Sequence, residues 1–304
     1  MTTINISDKQ IKVYTNKNGF IFRKASELAY KEIPDGQYGI IYDDFNPDMK
    51  KVNEWKNYNN KMRIFHVATR GKTLSMDSKI AFHNKMNKSS FTPEGYLTIN
   101  KIKDKDAFYF VKKDGSTGGK GVKIYSYNQL KNVNTSNCVI QKNIINPDLH
   151  LNKRYKIRQL VFLHNKSCYI HRESWASLSD VDYNSTSSSI HDKHIIFQKK
   201  NTKFILSSTL SDFNKIYKNI LNSTIEFTKY YHDEIQKIGR NEFVILGFDL
   251  IVDTNKNVQI IEINHRSNYA HPKNVSDICD VSGIKDLFLL LTTQSINNTK
   301  LIKL

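Results

Sequence analysis

Short apolar runs alternate with polar segments over the first 70 residues, in the pattern of a small α/β unit. Residues 10–14 and 38–42 are rich in β-branched and aromatic side chains and predict strands, with a helix over 25–31 between them. A third strand is predicted over 63–67, directly before the polar turn 70–73. We therefore predict an N-terminal α/β domain over residues 1–70.

Strand patterns dominate the chain after residue 107. Apolar alternation predicts strands over 108–112, 122–126, 139–141, 157–163 and 167–172. A helix is predicted over 77–87, and one long helix over 212–237. Two final strands, 243–252 and 258–264, flank the polar turn 253–257. The chain is thus predicted to be α/β (α+β), with a central domain over 71–140 and a C-terminal antiparallel-sheet domain over 141–304.

Composition argues against several classes of protein. The chain has 304 residues and a mean hydropathy of -0.53, and no apolar run approaches the ~20 residues that cross a bilayer. The first ten residues lack the basic and apolar regions of a secretory signal. Three widely spaced cysteines, Cys138, Cys168 and Cys279, are typical of a reducing compartment. We expect a cytoplasmic protein without a membrane span.

The formal net charge of +17 permits two interpretations. A strong positive field attracts nucleic acid, phosphates or glutamate-rich peptide. AT-rich coding would also produce a chain crowded with Asn, Lys and Ile, and the lysines are scattered along this chain. The charge alone therefore leaves open whether it serves a function.

The last predicted hairpin brings oxygen ligands together. If its turn centres on Asn255 and Lys256, Asp249 lies opposite Glu262, and Asn264 lies on the face of Glu262. Two facing carboxylates destabilise a sheet unless a cation lies between them, and hard oxygen ligands suit Mg²⁺ that carries phosphates. The alternative is a row of solvent-facing polar residues, but the strongly apolar neighbours of both carboxylates favour the metal site.

A glycine-rich segment over 115–121 joins two predicted strands. Glycine lets backbone N–H groups approach an anion closely, and Lys112 at the end of the first strand can place its ammonium on the same phosphates. The segment is not a Walker A loop, because Lys120 is followed by Gly121 rather than by Ser or Thr. A plain turn between two strands would look similar, so both interpretations stay open.

Three cations alternate with apolar residues further along the chain. On a strand, Arg154, Lys156 and Arg158 share one face, about 7 Å apart. Cations so placed could neutralise the charge on transferring phosphoryl oxygens. The solvent-exposed face of an edge strand would produce the same pattern. Taken alone, the three cations favour this simpler interpretation.

In order and spacing, these segments resemble the tubulin-tyrosine-ligase-like branch of the ATP-grasp superfamily. The shared marks are the lysine before the glycine-rich loop, Val-Ile-Gln-Lys at 139–142, the basic-aromatic-x-Ile-Arg strand at 154–158, Gly-Phe-Asp at 247–249 and Glu-x-Asn at 262–264. The resemblance covers about residues 62–272. It implies an ATP-grasp fold in which the central and C-terminal domains hold ATP between them.

The resemblance also implies roles for individual residues. Asp249, Glu262 and Asn264 would hold magnesium, and Arg158 and Arg154 would act in catalysis, with Arg158 stabilising an acyl phosphate and its tetrahedral successor. The 141–144 segment would read adenine through its backbone. The implied nucleotide-binding residues are Lys79, Lys112, Ser116, Gly118, Gly119, Lys120, Gly121, Val122, Gln141, Lys142, Asn143, Ile144, Arg154, Lys156 and Asp249.

The implied activity is ATP- and magnesium-dependent ligation of a carboxylate to an amine, with an amino-acid donor and an acidic peptide or protein as acceptor. Three departures from the family pattern bear on the substrates: Lys156 replaces an Asp, Ser177 replaces an Arg, and 191–194 replaces a His-x-x-Asn step. They leave open another ATP-grasp activity, such as a small-molecule amino-acid ligase or a polyol kinase.

Two further alternatives have less support in the sequence. A degenerate ATP-grasp protein that binds nucleic acid or acts as a scaffold would use the positive charge, but the metal-ligand trio is intact and no stretch interleaves aromatic with basic residues. A zinc site among His164, His171, His191 and His194 lacks a thiol and a fixed ligand spacing.

Overall fold

The computed structural model describes residues 9–16, 19–43, 46–116, 121–186, 189, 202–265, 269 and 271–304. Two β-sheets and the helices packed on them give a mixed α+β architecture, as predicted. The larger sheet mixes parallel and antiparallel pairs, and the smaller one is antiparallel. In this part of the chain, no helix is both long and apolar enough to cross a membrane.

The larger sheet has the strand order β1-β2-β3-β12-β9-β10-β11, with β13 beside β12, β14 beside β10 and β8 beside β9. Its strands are β1 (Gln10–Thr15), β2 (Gln37–Tyr42), β3 (Arg63–Val67), β8 (Leu149–His150), β9 (Lys153–His164), β10 (Ser167–Leu178), β11 (Phe204–Leu206), β12 (Glu242–Val252), β13 (Val258–Asn264) and β14 (Leu301–Lys303). The smaller sheet has the order β4-β7-β5-β6. Its strands are β4 (Gly95–Tyr96), β5 (Phe108–Lys113), β6 (Val122–Ser126) and β7 (Cys138–Lys142).

The helices cover both faces of the larger sheet. They are α1 (Gly19–Tyr30), α2 (Met49–Tyr58), α3 (Arg70–Asp77), α4 (Lys79–Met86), α5 (Tyr127–Leu130), α6 (Phe213–Tyr230), α7 (His232–Gln236), α8 (Lys273–Val275) and α9 (Ser282–Thr293). A π-helical segment, Ser276–Val281, leads from α8 into α9, and short 3₁₀ turns lie at Ile99–Lys101 and Ser207–Thr209.

The N-terminal strands continue into the same sheet as the C-terminal strands. β1, β2 and β3 are parallel, and β3 pairs in parallel with the start of β12. Helix α1 covers one face with its buried Phe22, Ala25 and Ala29, and Phe22 packs on Phe288 of α9. The predicted domain limits at 70 and 140 stay predictions, and the limit at 140 falls within β7.

Strand β9 lies in the middle of the larger sheet and is buried on both faces. One face packs Ile157, Val161 and Leu163 into the core that α6 covers. On the other face, Leu160 and Phe162 lie under α1 and α9. Lys156 and Arg158 continue that second face toward the beginning of the strand. Because β9 pairs with both β12 and β10, it is not an edge strand, and the solvated-edge interpretation of its cations is wrong.

Two predicted helices are each broken in the structure. The helix predicted over 77–87 corresponds to α3 and α4, which meet at an extended Ser78 (φ -78°, ψ 125°). Ser78 Oγ accepts from the Ala81 N–H and donates to Asp114, so this residue begins a new helix. The helix predicted over 212–237 is interrupted at Tyr231. Helices α2 and α9 were not predicted.

Candidate functional site

A cleft of about 440 Å³, open solvent included, lies between the two sheets. Lys112 of β5 and Gln141 of β7 line it from the smaller sheet, and residues 261–263 of β13 line it from the larger one. Helices α3 and α4 close one side with residues between Met76 and Met86. The lysine before the glycine-rich loop and the C-terminal hairpin therefore face each other across one cleft.

The two carboxylates of the hairpin lie where the sequence predicts. Asp249 on β12 is the direct partner of Glu262 on β13. The next pair toward the turn is Leu250 with Ile260, so Ile261 is an extra residue in β13, a β-bulge. Without this bulge, Asp249 would lie opposite residue 261, and the side chain of Glu262 would point to the other face of the sheet. The bulge therefore brings the two carboxylates onto one face.

Asp249 is almost completely buried and is bonded by two cations of β9. Arg158 Nε donates to Asp249 Oδ1 at 2.6 Å, and Lys156 Nζ donates to Oδ2 at 2.9 Å. Burial would raise the pKa of Asp249, but the attraction of Arg158 and Lys156 outweighs it and lowers the pKa to about 2. Asp249 is therefore ionised at neutral pH, with both oxygens already bonded to cations.

Lys112 is buried and has no acidic hydrogen-bond partner among the described residues. Its Nζ donates to Gln141 Oε1 at 2.6 Å and to the carbonyl of the bulged Ile261 at 3.0 Å. Burial lowers the pKa of Lys112 to about 8, although the charge of Glu262 acts in the opposite direction. A buried ammonium held only by neutral oxygens is suited to receive an anion.

Lys79, at the start of α4, connects the hairpin to the glycine-rich loop. Its Nζ lies 3.0 Å from Glu262 Oε1 and donates to the Ser116 carbonyl at 2.8 Å. Its backbone N–H donates to Asp114 Oδ1 at 2.7 Å, which fixes the first turn of α4 beside the loop. Lys79, whose local match to the family pattern is poor, thus lies beside a predicted metal ligand.

The described part of the glycine-rich loop is a tight turn. Gly115 has φ +69°, a conformation that favours glycine. A side chain on Gly121 would collide with the Ser116 side chain, so the two ends of the loop approach closely. Val122 pairs with Lys112 across β5 and β6. Gly118, Gly119 and Lys120, three of the predicted phosphate-binding residues, lie outside the described residues.

The predicted adenine-reading segment lies where β7 ends, and two of its backbone N–H groups are already used. The Lys142 N–H donates to the Glu94 carbonyl, and the Asn143 N–H donates to the Phe108 carbonyl. The Lys142 ammonium bonds to Asp104 at 2.7 Å. If adenine binds at this segment, it would therefore contact Ile144 and backbone carbonyl groups rather than the N–H groups of Lys142 and Asn143.

Arg154 is a buried cation on the face of β9 that holds Lys156 and Arg158. Its Nη1 donates to Asn143 Oδ1 at 3.1 Å, and burial lowers its pKa to about 10. Arg154 and Lys112 both lie about 6 Å from the Phe110 ring, at 5.9 and 6.0 Å. The site thus holds more cations than carboxylates: Lys79, Lys112, Arg154, Lys156 and Arg158 against Asp249 and Glu262. Such an excess of buried positive charge favours a polyanionic ligand.

The donor set of the hairpin fits a magnesium ion. Asp249 and Glu262 are paired, and Asn264 places its Nδ2 3.5 Å from the Gly247 carbonyl of β12. Carboxylate and amide oxygens are the ligands that Mg²⁺ prefers. In the described part of the chain, the hairpin included, no three His, Cys, Asp or Glu side chains cluster together, so the third ligand of the hairpin would be the Asn264 amide. His191 and His194 lie outside that part.

A model of the tubulin-tyrosine ligase family matches residues 46–203. The chain belongs to the tubulin-tyrosine ligase family. The resemblance inferred from the sequence is thereby confirmed. No curated protein matches the chain. The matched segment contains Lys112, the glycine-rich loop, β7 and β9, whereas the hairpin with Asp249 and Glu262 lies beyond it.

Two departures from the family pattern are neighbours in space. Lys156 and Ser177 are direct partners on β9 and β10, and Ser177 is fully buried. One residue that the sequence did not single out, Trp175, lies on the same face, with its ring 5.7 Å from the Arg158 guanidinium. The sequence could have indicated this, because a residue two positions before Ser177 on the same strand lies on the same face of the sheet. The remaining departure, 191–194, lies outside the described residues.

Proposed function

We propose that this member of the tubulin-tyrosine ligase family is an ATP- and magnesium-dependent carboxylate–amine ligase with the ATP-grasp layout. The observation that carries the proposal is the cleft lined by Lys112, Lys79 and Glu262, with Asp249 paired to Glu262 on the neighbouring strand. A triphosphate with its metal matches this mixture of buried cations and oxygen ligands. ATP would lie between the smaller sheet, as the central domain, and the larger sheet.

The nucleotide contacts are proposed from the buried cations and the backbone groups near the cleft. The Lys112 ammonium, held by neutral oxygens, would bind the phosphates together with Lys79 and the glycine-rich loop. Arg154, buried and bonded to Asn143 just after β7, would add a third cation. Ile144 would contact adenine, because the N–H groups of the two residues before it are bonded within the protein.

Asp249, Glu262 and Asn264 would hold magnesium, which when bound neutralises phosphate charge and polarises the γ-phosphoryl group. Arg158 is fixed at its Nε by Asp249 and lies against Trp175, so its guanidinium presents a preorganised cation to the reacting phosphoryl group. Asp249 thus has two uses, as an oxygen ligand and as the group that orients Arg158.

The reaction would proceed in two displacements. A substrate carboxylate oxygen bonds to the γ-phosphorus while the bond to ADP breaks, which gives an acyl phosphate. The amine nitrogen then bonds to the acyl carbon, inorganic phosphate leaves, and the nitrogen loses a proton to give the amide. The protein contributes position and charge stabilisation rather than a nucleophile, in keeping with a site made of cations and oxygen ligands.

We further propose an amino-acid donor and an acidic peptide or protein acceptor. The excess of cations over carboxylates in the site favours carboxylate-rich substrates over neutral ones. A cytoplasmic location accords with the three cysteines, which are all free and buried. The departures at Lys156 and Ser177 leave the small-molecule ligase as the second candidate, which differs only in the size of the acceptor.

Calorimetry of ATP binding with and without magnesium tests the nucleotide site. Wild type should bind ATP in a magnesium-dependent manner, and Glu262→Gln and Lys112→Ala should each bind at least tenfold more weakly. Lys123→Ala, an exposed lysine on β6, is the matched control and should bind as wild type does. Absence of ATP binding by a folded wild-type protein would contradict the proposal.

Release of ADP then tests the reaction. A ligase needs both a carboxylate and an amine before ADP accumulates, whereas a kinase needs only one acceptor. Acidic peptides and free amino acids should therefore be offered separately and together. ADP release from one substrate alone would argue against ligation.

A further inference from the structure

Lys156 binds a predicted metal ligand in a way that the family pattern does not explain. Its ammonium lies 2.9 Å from Asp249 Oδ2, in a site where the carboxylate is 4% exposed and the lysine side chain 15% exposed. Arg158 occupies the other oxygen. A divalent cation at Asp249 would therefore meet two positive charges within a few ångströms in a site of low dielectric constant.

Of these two cations, Lys156 is the one able to leave. Arg158 is tied at its Nε to Asp249, is 9% exposed and lies against the ring of the buried Trp175. Lys156 has a flexible four-carbon stem, and Asp249 is the one acid that it bonds among the described residues. Its partner across β10 is Ser177, whose short side chain puts no second charge beside it.

We propose that Lys156 is a built-in counterion of Asp249 which competes with divalent metal for that carboxylate. This inference rests on the proposed function, because it concerns how the same metal site is filled. In the free protein the ammonium occupies Asp249 Oδ2 and neutralises the buried carboxylate together with Arg158. Metal reaches Asp249 when the ammonium moves away, and the phosphates of the nucleotide are the anions to which it moves.

The competition makes metal and nucleotide bind together. Without nucleotide, a metal ion must displace an ammonium that has no other anion to bind, so metal affinity is low. With a polyphosphate in the cleft, the displaced ammonium gains a new partner. By linkage, the nucleotide then raises metal affinity by the same factor as metal raises nucleotide affinity. Free metal would thus not occupy the site ahead of the substrate.

Binding of Mn²⁺ without nucleotide tests this, with free Mn²⁺ measured by electron paramagnetic resonance. Lys156→Gln keeps an amide donor for Asp249 but removes the positive charge, and Lys156→Arg keeps the charge. We expect Lys156→Gln to bind Mn²⁺ at least tenfold more tightly than wild type, and Lys156→Arg to bind as wild type does. Lys153→Gln, on the same strand but bonded to the Asp180 carbonyl, is the control.

The double variant Lys156→Gln with Asp249→Asn tests whether the additional Mn²⁺ affinity arises at Asp249. We expect this second substitution to abolish the increase in Mn²⁺ affinity. Equal Mn²⁺ affinity of wild type and Lys156→Gln, both shown to be folded by circular dichroism, would overturn the inference. A gain that survives Asp249→Asn would overturn it as well. Because no nucleotide or catalysis enters this measurement, its failure is distinguishable from a failure of ATP binding or of ligation.

Discussion

Asp249 and Glu262 are direct partners across β12 and β13, yet each carboxylate bonds to a different lysine, Lys156 and Lys79 respectively. Two like charges directly opposite on a sheet would repel each other. The two lysines come from separate elements, β9 and α4, so tertiary contacts rather than the hairpin itself neutralise the pair. Under the proposed function, metal binding at this site would replace a lysine ammonium with a divalent cation.

The lowered pKa of Lys112 predicts proton uptake when nucleotide binds. Burial lowers this pKa to about 8, and a bound polyanion raises it again. The contribution of Lys112 to ATP affinity is therefore complete below pH 8 and is lost as the pH rises through the pKa of the complex. Calorimetry at pH 8.5 in two buffers with different heats of ionisation should show net proton uptake in wild type.

Lys112→Met should remove most of that uptake. Lys113→Met, the same change at the exposed neighbouring position, should retain it. Proton uptake of equal size in wild type and Lys112→Met would show that another group takes up the proton.

The hairpin shows what sequence pattern can and cannot predict. Alternation and the polar turn correctly placed Asp249 opposite Glu262. The pairs next to the turn, such as Val252 with Val258, centre on Asn255 alone, and the bulge at Ile261 restores the predicted register. A bulge has no reliable signature in an apolar run, so its second effect, the Ile261 carbonyl held by Lys112, could not be foreseen.

Contacts between distant segments account for most of what the sequence did not predict. The break at Ser78 depends on Asp114, 36 residues away, because that carboxylate accepts from the Ser78 hydroxyl and from the Lys79 N–H. The membership of β1 to β3 in the larger sheet depends on β3 pairing with β12. Local periodicity carries no information on such pairings.

Replacing Arg158 with lysine should separate catalysis from binding. Lysine keeps the charge, but its single ammonium cannot bond Asp249 as Arg158 Nε does and also leave a second donor group near Trp175, as the guanidinium does at 5.7 Å from the ring. We expect the rate of substrate-dependent ADP release to fall about 10²–10³-fold, the usual effect of removing one preorganised charge. ATP affinity, measured by calorimetry, should fall much less.

Arg172→Lys provides the control for this change, because Arg172 is an exposed arginine of β10. Arg172→Lys should leave both the rate of substrate-dependent ADP release and the ATP affinity unchanged. A loss of ATP affinity as large as the loss of rate would mean that Arg158 binds the ground state of the nucleotide rather than the reacting phosphoryl group.

His271 and Asp280 form a buried pair whose disruption should lower stability. His271 Nδ1 lies 2.6 Å from Asp280 Oδ2, both side chains are 1% exposed, and the imidazole packs 4.2 Å from the Trp175 ring. Replacing the ring leaves a buried carboxylate with a poorer partner. We expect His271→Asn to lower the free energy of unfolding by about 3 kcal/mol, measured by urea denaturation.

Tryptophan fluorescence locates that effect. The chain has two tryptophans, so in a Trp55→Phe background the emission comes from Trp175. His271→Asn should shift this emission, and the exposed His232→Asn should change neither emission nor stability. Unchanged emission in His271→Asn would contradict the packing of the imidazole on Trp175.

The Lys256 side chain connects the hairpin turn to the segment that follows β7. Replacing this side chain should therefore destabilise both segments. Its Nζ donates to Asp148 Oδ2 at 2.8 Å and to Ser211 Oγ at 3.0 Å, and Asp148 also accepts from the Tyr155 hydroxyl. Lys256 has φ +66°, and methionine adopts that conformation no more easily than lysine, so Lys256→Met changes the charge and not the backbone strain.

A double-mutant cycle of Lys256→Met and Asp148→Asn measures the pair itself. We expect Lys256→Met to cost about 2 kcal/mol and the coupling energy to exceed about 1 kcal/mol, because both side chains are nearly buried. ATP affinity should also fall in Lys256→Met, because Asp148 follows the predicted adenine-binding segment 141–144. Lys256 itself lies in the turn between the strands that carry the predicted metal ligands. Additive effects in the cycle would mean that the two side chains act independently and that the hairpin is held in place by its apolar face alone.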